Sequence, residues 1–176
     1  MHARRGDFEF RSKTRYAAVA AALVDMGLKD GDLIVDVGAG TCQFDHHMRT
    51  VEGWCGRYLG VDAVLDGADL NVWVPKMHAD YFVCIEVLEH LEDPERMIRL
   101  MHNYATKGVA CTTPNPDAVD VLTCDPTHIS VVPAEMFEKY GWVTWARSFF
   151  GVAADTLIAT RRTKSELTHA AACGSL

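Results

Sequence analysis

Four residues carry the most reactive chemistry in this sequence. Glu86, Glu89 and His90 lie in the run CIEVLEH, and His128 lies in DPTHIS. Imidazole titrates near neutral pH, so a well-placed histidine can take the proton of an oxygen or nitrogen nucleophile. His90 is the first candidate for that base and His128 the second. The competing role for His90 is to cap or pack a strand-to-helix turn, and for His128 to order a loop. Two carboxylates and two imidazoles are also a ligand set for a divalent cation such as Mg²⁺ or Mn²⁺. The adjacent pair His46-His47 is no such site, because neighbours on a helix do not share a face.

A second constellation precedes these residues. LIVDVGAGT, from Leu33 to Thr41, reads as a buried strand that ends in Asp36 and Val37 and breaks at Gly38 and Gly40. Glycine lets the backbone turn sharply there and lie against a ligand. A second apolar run, RYLGV, ends in Asp62, where a carboxylate can accept two vicinal hydroxyls. Strand, glycine turn, helix, strand and acid together point to an adenosine-type ligand. The third glycine of the dinucleotide pattern is missing, and Cys42 and Gln43 stand after Thr41 instead. That disfavours a pyrophosphate at the helix start, and so NAD, and favours a cofactor without a diphosphate.

The elements that must position these groups alternate. A helix is expected over 12–26 with Ser12 as its cap, then the LIVDV strand and a helix over about 43–51. RYLGV is the second strand and DLNVW a short third one at the edge. DYFVCIE is the fourth, followed by a helix that Asp93 caps and Pro94 opens, running to Tyr104. KGVACTT is the fifth strand. After a loop from Asn115 to Val132, Pro133 opens a short helix that Gly141 closes. WVTWARSFF and DTLIATRR read as an antiparallel pair. Trp142, Trp145, Phe149 and Phe150 alternate along the first of these as core or an association face. The expectation is one α/β domain over 1–176, with its core over about 12–162 and a frayed tail over 163–176.

LIVDVGAGT, YLGVD, the DL of GADL, DYFVCIEVLEHLEDPERMIRLM and KGVACTTPN resemble the successive motifs of class I S-adenosylmethionine-dependent methyltransferases. CIEVLEHLEDP followed by TTPN is similar to a branch that includes ubiquinone-biosynthesis-type O-methyltransferases. The resemblance implies a Rossmann-like, seven-stranded, mostly parallel sheet with the last strand antiparallel and helices on both faces. It implies S-adenosylmethionine as cofactor. Asp36, Gly38, Ala39 and Gly40 would line its methionine end, with Arg15 covering the carboxylate. Asp62 would hold the ribose, Asp69 and Leu70 would frame the adenine, and Glu86 and Val87 would sit near the sulfonium. The set E-x-x-E-H…H also resembles the metal site of small-RNA 3′-end 2′-O-methyltransferases.

Composition bounds the partners. Net charge is −7, which argues against a protein that coats nucleic acid nonspecifically. No apolar run approaches the ~20 residues that cross a bilayer, and the N-terminus has no apolar segment of the signal-peptide kind. None of the six cysteines forms a CxxC pair, and Cys84 and Cys111 lie in strand-like runs, so a reducing, cytoplasmic setting is expected. The reading is methyl transfer to a nucleophile, foremost oxygen, on a small molecule. The alternatives are a divalent-metal-dependent ribose 2′-O-methyltransferase using Glu86, Glu89, His90 and His128, and a non-catalytic cofactor-binding scaffold. A base-methylating enzyme is disfavoured, because CIEV stands where an Asn/Asp-Pro-Pro-aromatic signature would be.

Overall fold

The computed structural model describes residues 5–163. The tail expected over 163–176 lies outside the described residues apart from Thr163.

Helix α1 (Arg5–Asp25) leads into β1 (Leu33–Val37), α2 (Gln43–Thr50), β2 (Arg57–Val61) and the single turn α3 (Ala63–Asp66). Then come β3 (Ala79–Ile85), a 3₁₀ turn over Leu88–His90, α4 (Pro94–Tyr104) and β4 (Ala105–Pro114). The short helices α5 (Val121–Cys124) and α6 (Ala134–Glu138) precede β5 (Val143–Arg147) and β6 (Thr156–Arg162). The strands form one sheet in the order β2-β1-β3-β4-β6-β5. β1, β2, β3 and β4 are mutually parallel, and β6 runs antiparallel to both β4 and β5.

Alternation along the strands divides the core between two faces. Ile34, Tyr81, Val83 and Ala110 face Val19 and Leu23 of α1 and Phe44 and Met48 of α2. Val35, Phe82, Cys84, Val109 and Cys111 face Met97, Ile98 and Met101 of α4 and Phe137 of α6. Each fully buried aromatic or large aliphatic side chain stabilises the fold by about 1.5–3 kcal/mol. Both thiols expected inside, Cys84 and Cys111, are fully buried. Asp93 caps α4 as expected, its side chain accepting from the Arg96 N–H at 2.9 Å.

Three expectations need correction. The sheet has six strands, not seven. The missing one is DLNVW, which folds as turns. Asp69 accepts the Asn71 N–H on its carboxylate and the Val72 and Trp73 N–H groups on its carbonyl, so local bonds consume the donors a strand would offer. Helix α1 starts at Arg5, so Ser12 lies inside it and does not cap it. β5 stops at Arg147, leaving Phe149 and Phe150 in the following turn, while Trp142 packs in the core on Phe137.

The carboxyl ends of β1, β3 and β4 share one edge of the sheet. Because β6 is antiparallel, its first residues join that edge: the Asn115 N–H, after β4, donates to the Asp155 carbonyl at 2.8 Å.

Candidate functional site at the carboxyl edge of the sheet

The glycine turn is built by a close approach. Gly38 has φ +79°, and a Cβ placed on it would lie 2.2 Å from Val87 Cγ2, so no side chain fits between β1 and the end of β3. The Gly38 and Ala39 N–H groups both donate to the Val61 carbonyl, at 2.8 and 3.2 Å, which ties the turn to β2. Asp62 completes the tie. One carboxylate oxygen accepts the Gly40 N–H at 2.9 Å and the other the Val64 N–H at 3.0 Å, capping α3. Cys42, which stands where a third glycine was missing, adopts φ +58° despite its Cβ. That left-handed backbone costs about 1–2 kcal/mol, a strain of the kind that collects at ligand-holding turns.

Asp36 is buried, and its carboxylate accepts the Tyr58 hydroxyl. Burial pushes this carboxyl up to about 7, opposed by the Tyr58 hydrogen bond and reinforced by Asp62 and Asp45. Tyr58 is a residue the sequence reading missed. Its hydroxyl meets Asp36 from a neighbouring strand, and no local spacing signals that. Beside Asp62 opens a cavity of about 340 Å³ bounded by Gly67, Asp69, Leu70, Asn71 and Leu91. Asp62, Asp69 and Leu70, singled out from the sequence, therefore share one cavity. Asn71 and Leu91 are additions to it. Asn71 Oδ1 also accepts the Glu92 N–H at 2.9 Å, which joins the 66–78 segment to the turn after β3.

At the end of β3, Glu86 adopts φ +55°. One of its carboxylate oxygens lies 3.3 Å from Arg15 Nη1 of α1, and the other has no hydrogen-bond partner. Burial raises the Glu86 carboxyl, opposed by Arg15. Arg15 is only 7% exposed, and its Nε is also without a partner.

Glu89, His90 and His128 form a separate cluster whose ligand-type atoms all lie within 4.8 Å of one another. Glu86 is not part of it, so the four-residue metal set read from the sequence is three residues here. Each imidazole is anchored through Nδ1 to a backbone carbonyl: His90 to Thr127 at 3.1 Å and His128 to Val121 at 2.8 Å. A carbonyl only accepts, so Nδ1 is the donor, and in the neutral ring Nε2 carries the lone pair. Both Nε2 atoms lie 4.0 Å from the same Glu89 oxygen. That oxygen is buried without a partner, while the other accepts the Thr113 hydroxyl at 3.1 Å. Burial, with Glu86 nearby, pushes the Glu89 carboxyl up to about 8. The 115–132 loop is docked on this turn. The Ile129 and Ser130 N–H groups donate to the Glu89 carbonyl at 2.9 and 3.0 Å.

Residues 10–147 match the family described as a methyltransferase domain, and the chain belongs to that family. It is an enzyme of the S-adenosylmethionine-dependent methyltransferase class. No curated protein sequence matches the chain. Solved structures share its fold at low identity. One is the complex between the Haloferax volcanii Trm112 methyltransferase activator and a putative methyltransferase: 13% identity, 93% of this chain and 94% of that one covered, TM-score 0.67. Another is the magnesium protoporphyrin IX methyltransferase from Synechocystis with bound S-adenosylhomocysteine: 14% identity, 93% and 89% covered, TM-score 0.61. A third is the [4+2]-cyclase SpnF, at 14% identity, 87% and 81% covered and TM-score 0.60. A cyclase on the same fold means that the acceptor chemistry has to be argued from the site.

Proposed function

We propose that the protein methylates an oxygen of a small molecule, with the cofactor held by the glycine turn and the acceptor activated at the Glu89–His90–His128 cluster. One observation carries the reading: two imidazoles, each fixed by a carbonyl on Nδ1, present Nε2 toward one buried carboxyl group beside the strand end that meets the glycine turn.

In this reading Asp62 uses its remaining lone pairs for the ribose hydroxyls. Leu70, Asp69 and Leu91 enclose the adenine in the 340 Å³ cavity. Asp36, Gly38, Ala39 and Gly40 face the methionine end. Arg15 and Glu86 supply to it the buried donor and acceptor that lack partners in the protein. The cofactor supplies a methyl carbon already activated by its sulfonium. His90 or His128 accepts the acceptor's hydroxyl proton on Nε2 as the oxygen–methyl bond forms and the carbon–sulfur bond breaks. The buried Glu89 carboxyl group, 4.0 Å from both Nε2 atoms, faces the imidazolium so formed and would stabilise it once ionised. Placement of the nucleophile in line with the methyl group is the larger part of the acceleration.

The test starts with calorimetry of S-adenosylhomocysteine. The parent chain should bind with micromolar affinity, and Asp62→Ala should lose at least about thirtyfold of it through its charged hydrogen bonds. Small hydroxylated acceptors are then screened with labelled methyl donor. Labelling confined to nitrogen or carbon acceptors would overturn the oxygen assignment.

The unpartnered Glu89 oxygen favours a second reading, a divalent cation at the same cluster. An ion about 2.1 Å from each ligand needs ligand atoms roughly 3.0–3.5 Å apart, so the cluster, with 4.0 Å from Glu89 to each Nε2 and its ligand-type atoms within 4.8 Å of one another, would have to contract around it. The carbonyl anchors on both Nδ1 atoms are the outer contacts that metal-ligating histidines use. Such a cation would suit an acceptor with two vicinal oxygens, the 3′-terminal ribose of an RNA among them. Under this reading Mn²⁺ should bind the parent in a direct titration and fail to bind Glu89→Gln, and chelator should abolish turnover. Undiminished turnover in excess chelator would leave proton transfer as the role of the histidines.

A further inference from the structure

The turn between β5 and β6, Ser148–Ala154, is built around one buried side chain. Asp155 is 2% exposed and accepts the N–H groups of Phe149 and Phe150, both at 2.7 Å, and of Val152 at 3.1 Å. The Thr156 hydroxyl adds a fourth bond at 3.1 Å. The turn closes further through the Ala154 N–H on Ser148 Oγ at 2.9 Å, and through Asn115 Nδ2 on the Ala154 carbonyl at 2.8 Å. Gly151 and Ala154 both take positive φ, +96° and +57°. A left-handed alanine persists only where its surroundings hold it. These bonds are more than a connection between two antiparallel strands requires, and they fix the direction in which Phe150 points.

Phe150 points at Arg15. The guanidinium carbon sits 4.8 Å from the ring centroid, inside the range of a cation–π contact. Among the described residues, Arg15 is otherwise held by the 3.3 Å ion pair with Glu86. One ion pair alone does not fix the plane of a guanidinium; a ring face on one side and a carboxylate on the other do. Asp155 also lies near enough to Glu86 to add to the rise of that carboxyl. The β5–β6 turn, α1 and the end of β3 therefore meet at this one guanidinium.

We propose that Phe150, oriented by Asp155, is a positioning residue of the cofactor site: its ring holds the Arg15 guanidinium beside Glu86, so that the unpartnered Nε–H of Arg15 is fixed before ligand arrives. This rests on the reading of Arg15 and Glu86 as the contacts to the cofactor's methionine end.

The experiment is calorimetric titration with S-adenosylhomocysteine, with melting temperature as the folding control. Phe150→Leu keeps an apolar side chain and removes the π face. It should weaken binding about tenfold, and Phe150→Tyr should restore it to within about twofold. Progressively fluorinated phenylalanine at position 150 keeps the shape and drains the ring's negative face, so affinity should fall stepwise with each fluorine. In an Arg15→Ala background Phe150→Leu should have no further effect. Asp155→Asn, which weakens the anchor and leaves the ring in place, should weaken binding in the same direction. Unchanged affinity across the fluorinated series, or additive losses in the Arg15→Ala background, would overturn the proposal while leaving the cofactor assignment standing. A folded parent chain that binds no S-adenosylhomocysteine would overturn both.

Discussion

In chelator-containing buffer the protein should lose stability steadily as pH is raised from 5 to 9. Asp36→Asn and Glu89→Gln should each remove part of that loss. The cause is a pair of carboxyl groups buried where their charged forms are poorly solvated. Burial raises Asp36 from 3.8 to about 7, and burial with Glu86 nearby raises Glu89 from 4.5 to about 8. The folded state therefore holds protons that the unfolded chain has already released. The stabilisation from each group is complete below its unfolded value and is lost as pH rises through the folded one. The window thus opens near pH 4–5 and closes near pH 8. Over it each group should cost on the order of 4–5 kcal/mol, at about 1.4 kcal/mol for each pH unit between its unfolded and folded values.

Both substitutions are nearly isosteric and keep an accepting oxygen, for the Tyr58 hydroxyl at position 36 and the Thr113 hydroxyl at position 89. At pH 5 each variant should melt close to the parent, and at pH 9 each should melt above it. Variants that fall below the parent at pH 9 would mean that these carboxylates are already paired and ionised in the folded protein. Divalent cation added to the parent at pH 9 gives a further check on the second reading. A bound ion would hold Glu89 ionised and flatten the slope, and Glu89→Gln would not respond.

What the sequence made legible is what local pattern encodes. Apolar runs broken by glycine or proline placed β1, β2, β3 and α4 within a residue or so, and the acid at the end of β2 came with them. DLNVW looks like a strand by composition. Asp69 decides otherwise, because an aspartate two residues before an N–H can close its own turn. Trp73 then packs on the core beneath the sheet edge without pairing. WVTWARSFF has the alternation of a longer strand than forms. Its last N–H groups go to Asp155, on the far side of the turn, and the strand ends where that carboxylate takes over. The site divides in the same way. His90 and His128 were recognisable as chemistry, but their union on Glu89 depends on the 115–132 loop docking back onto the Glu89 carbonyl. Tyr58 on Asp36 and Phe150 on Arg15 are contacts between distant segments that no spacing announces.

Gly38→Ala should be among the most damaging single methyl additions to the described residues. Two penalties act together. At φ +79° an alanine carries a left-handed strain of about 1 kcal/mol or more. Its Cβ would also meet Val87 Cγ2, Cγ1 and Cβ at 2.2, 2.7 and 3.0 Å, and none of these can be escaped by a flexible side-chain tip. Valine is stiff at χ1, so the contact must be relieved by moving backbone. The backbone available is the end of β3, which carries Glu86 on one side and the Leu88–His90 turn on the other. The expected loss is about 3–5 kcal/mol, the range of a severe core lesion, together with loss of S-adenosylhomocysteine binding. Val87→Ala in the same chain separates the two penalties. It removes both γ carbons, so most of the stability should return, and the residual deficit should approach the backbone strain alone. The two substitutions should therefore be strongly non-additive in denaturant titrations. An additive pair would assign the damage to the left-handed backbone. Parent-like stability and binding in Gly38→Ala would mean that β1 and β3 do not approach as closely as the turn requires, and the geometry assigned to the cofactor loop would fall with it.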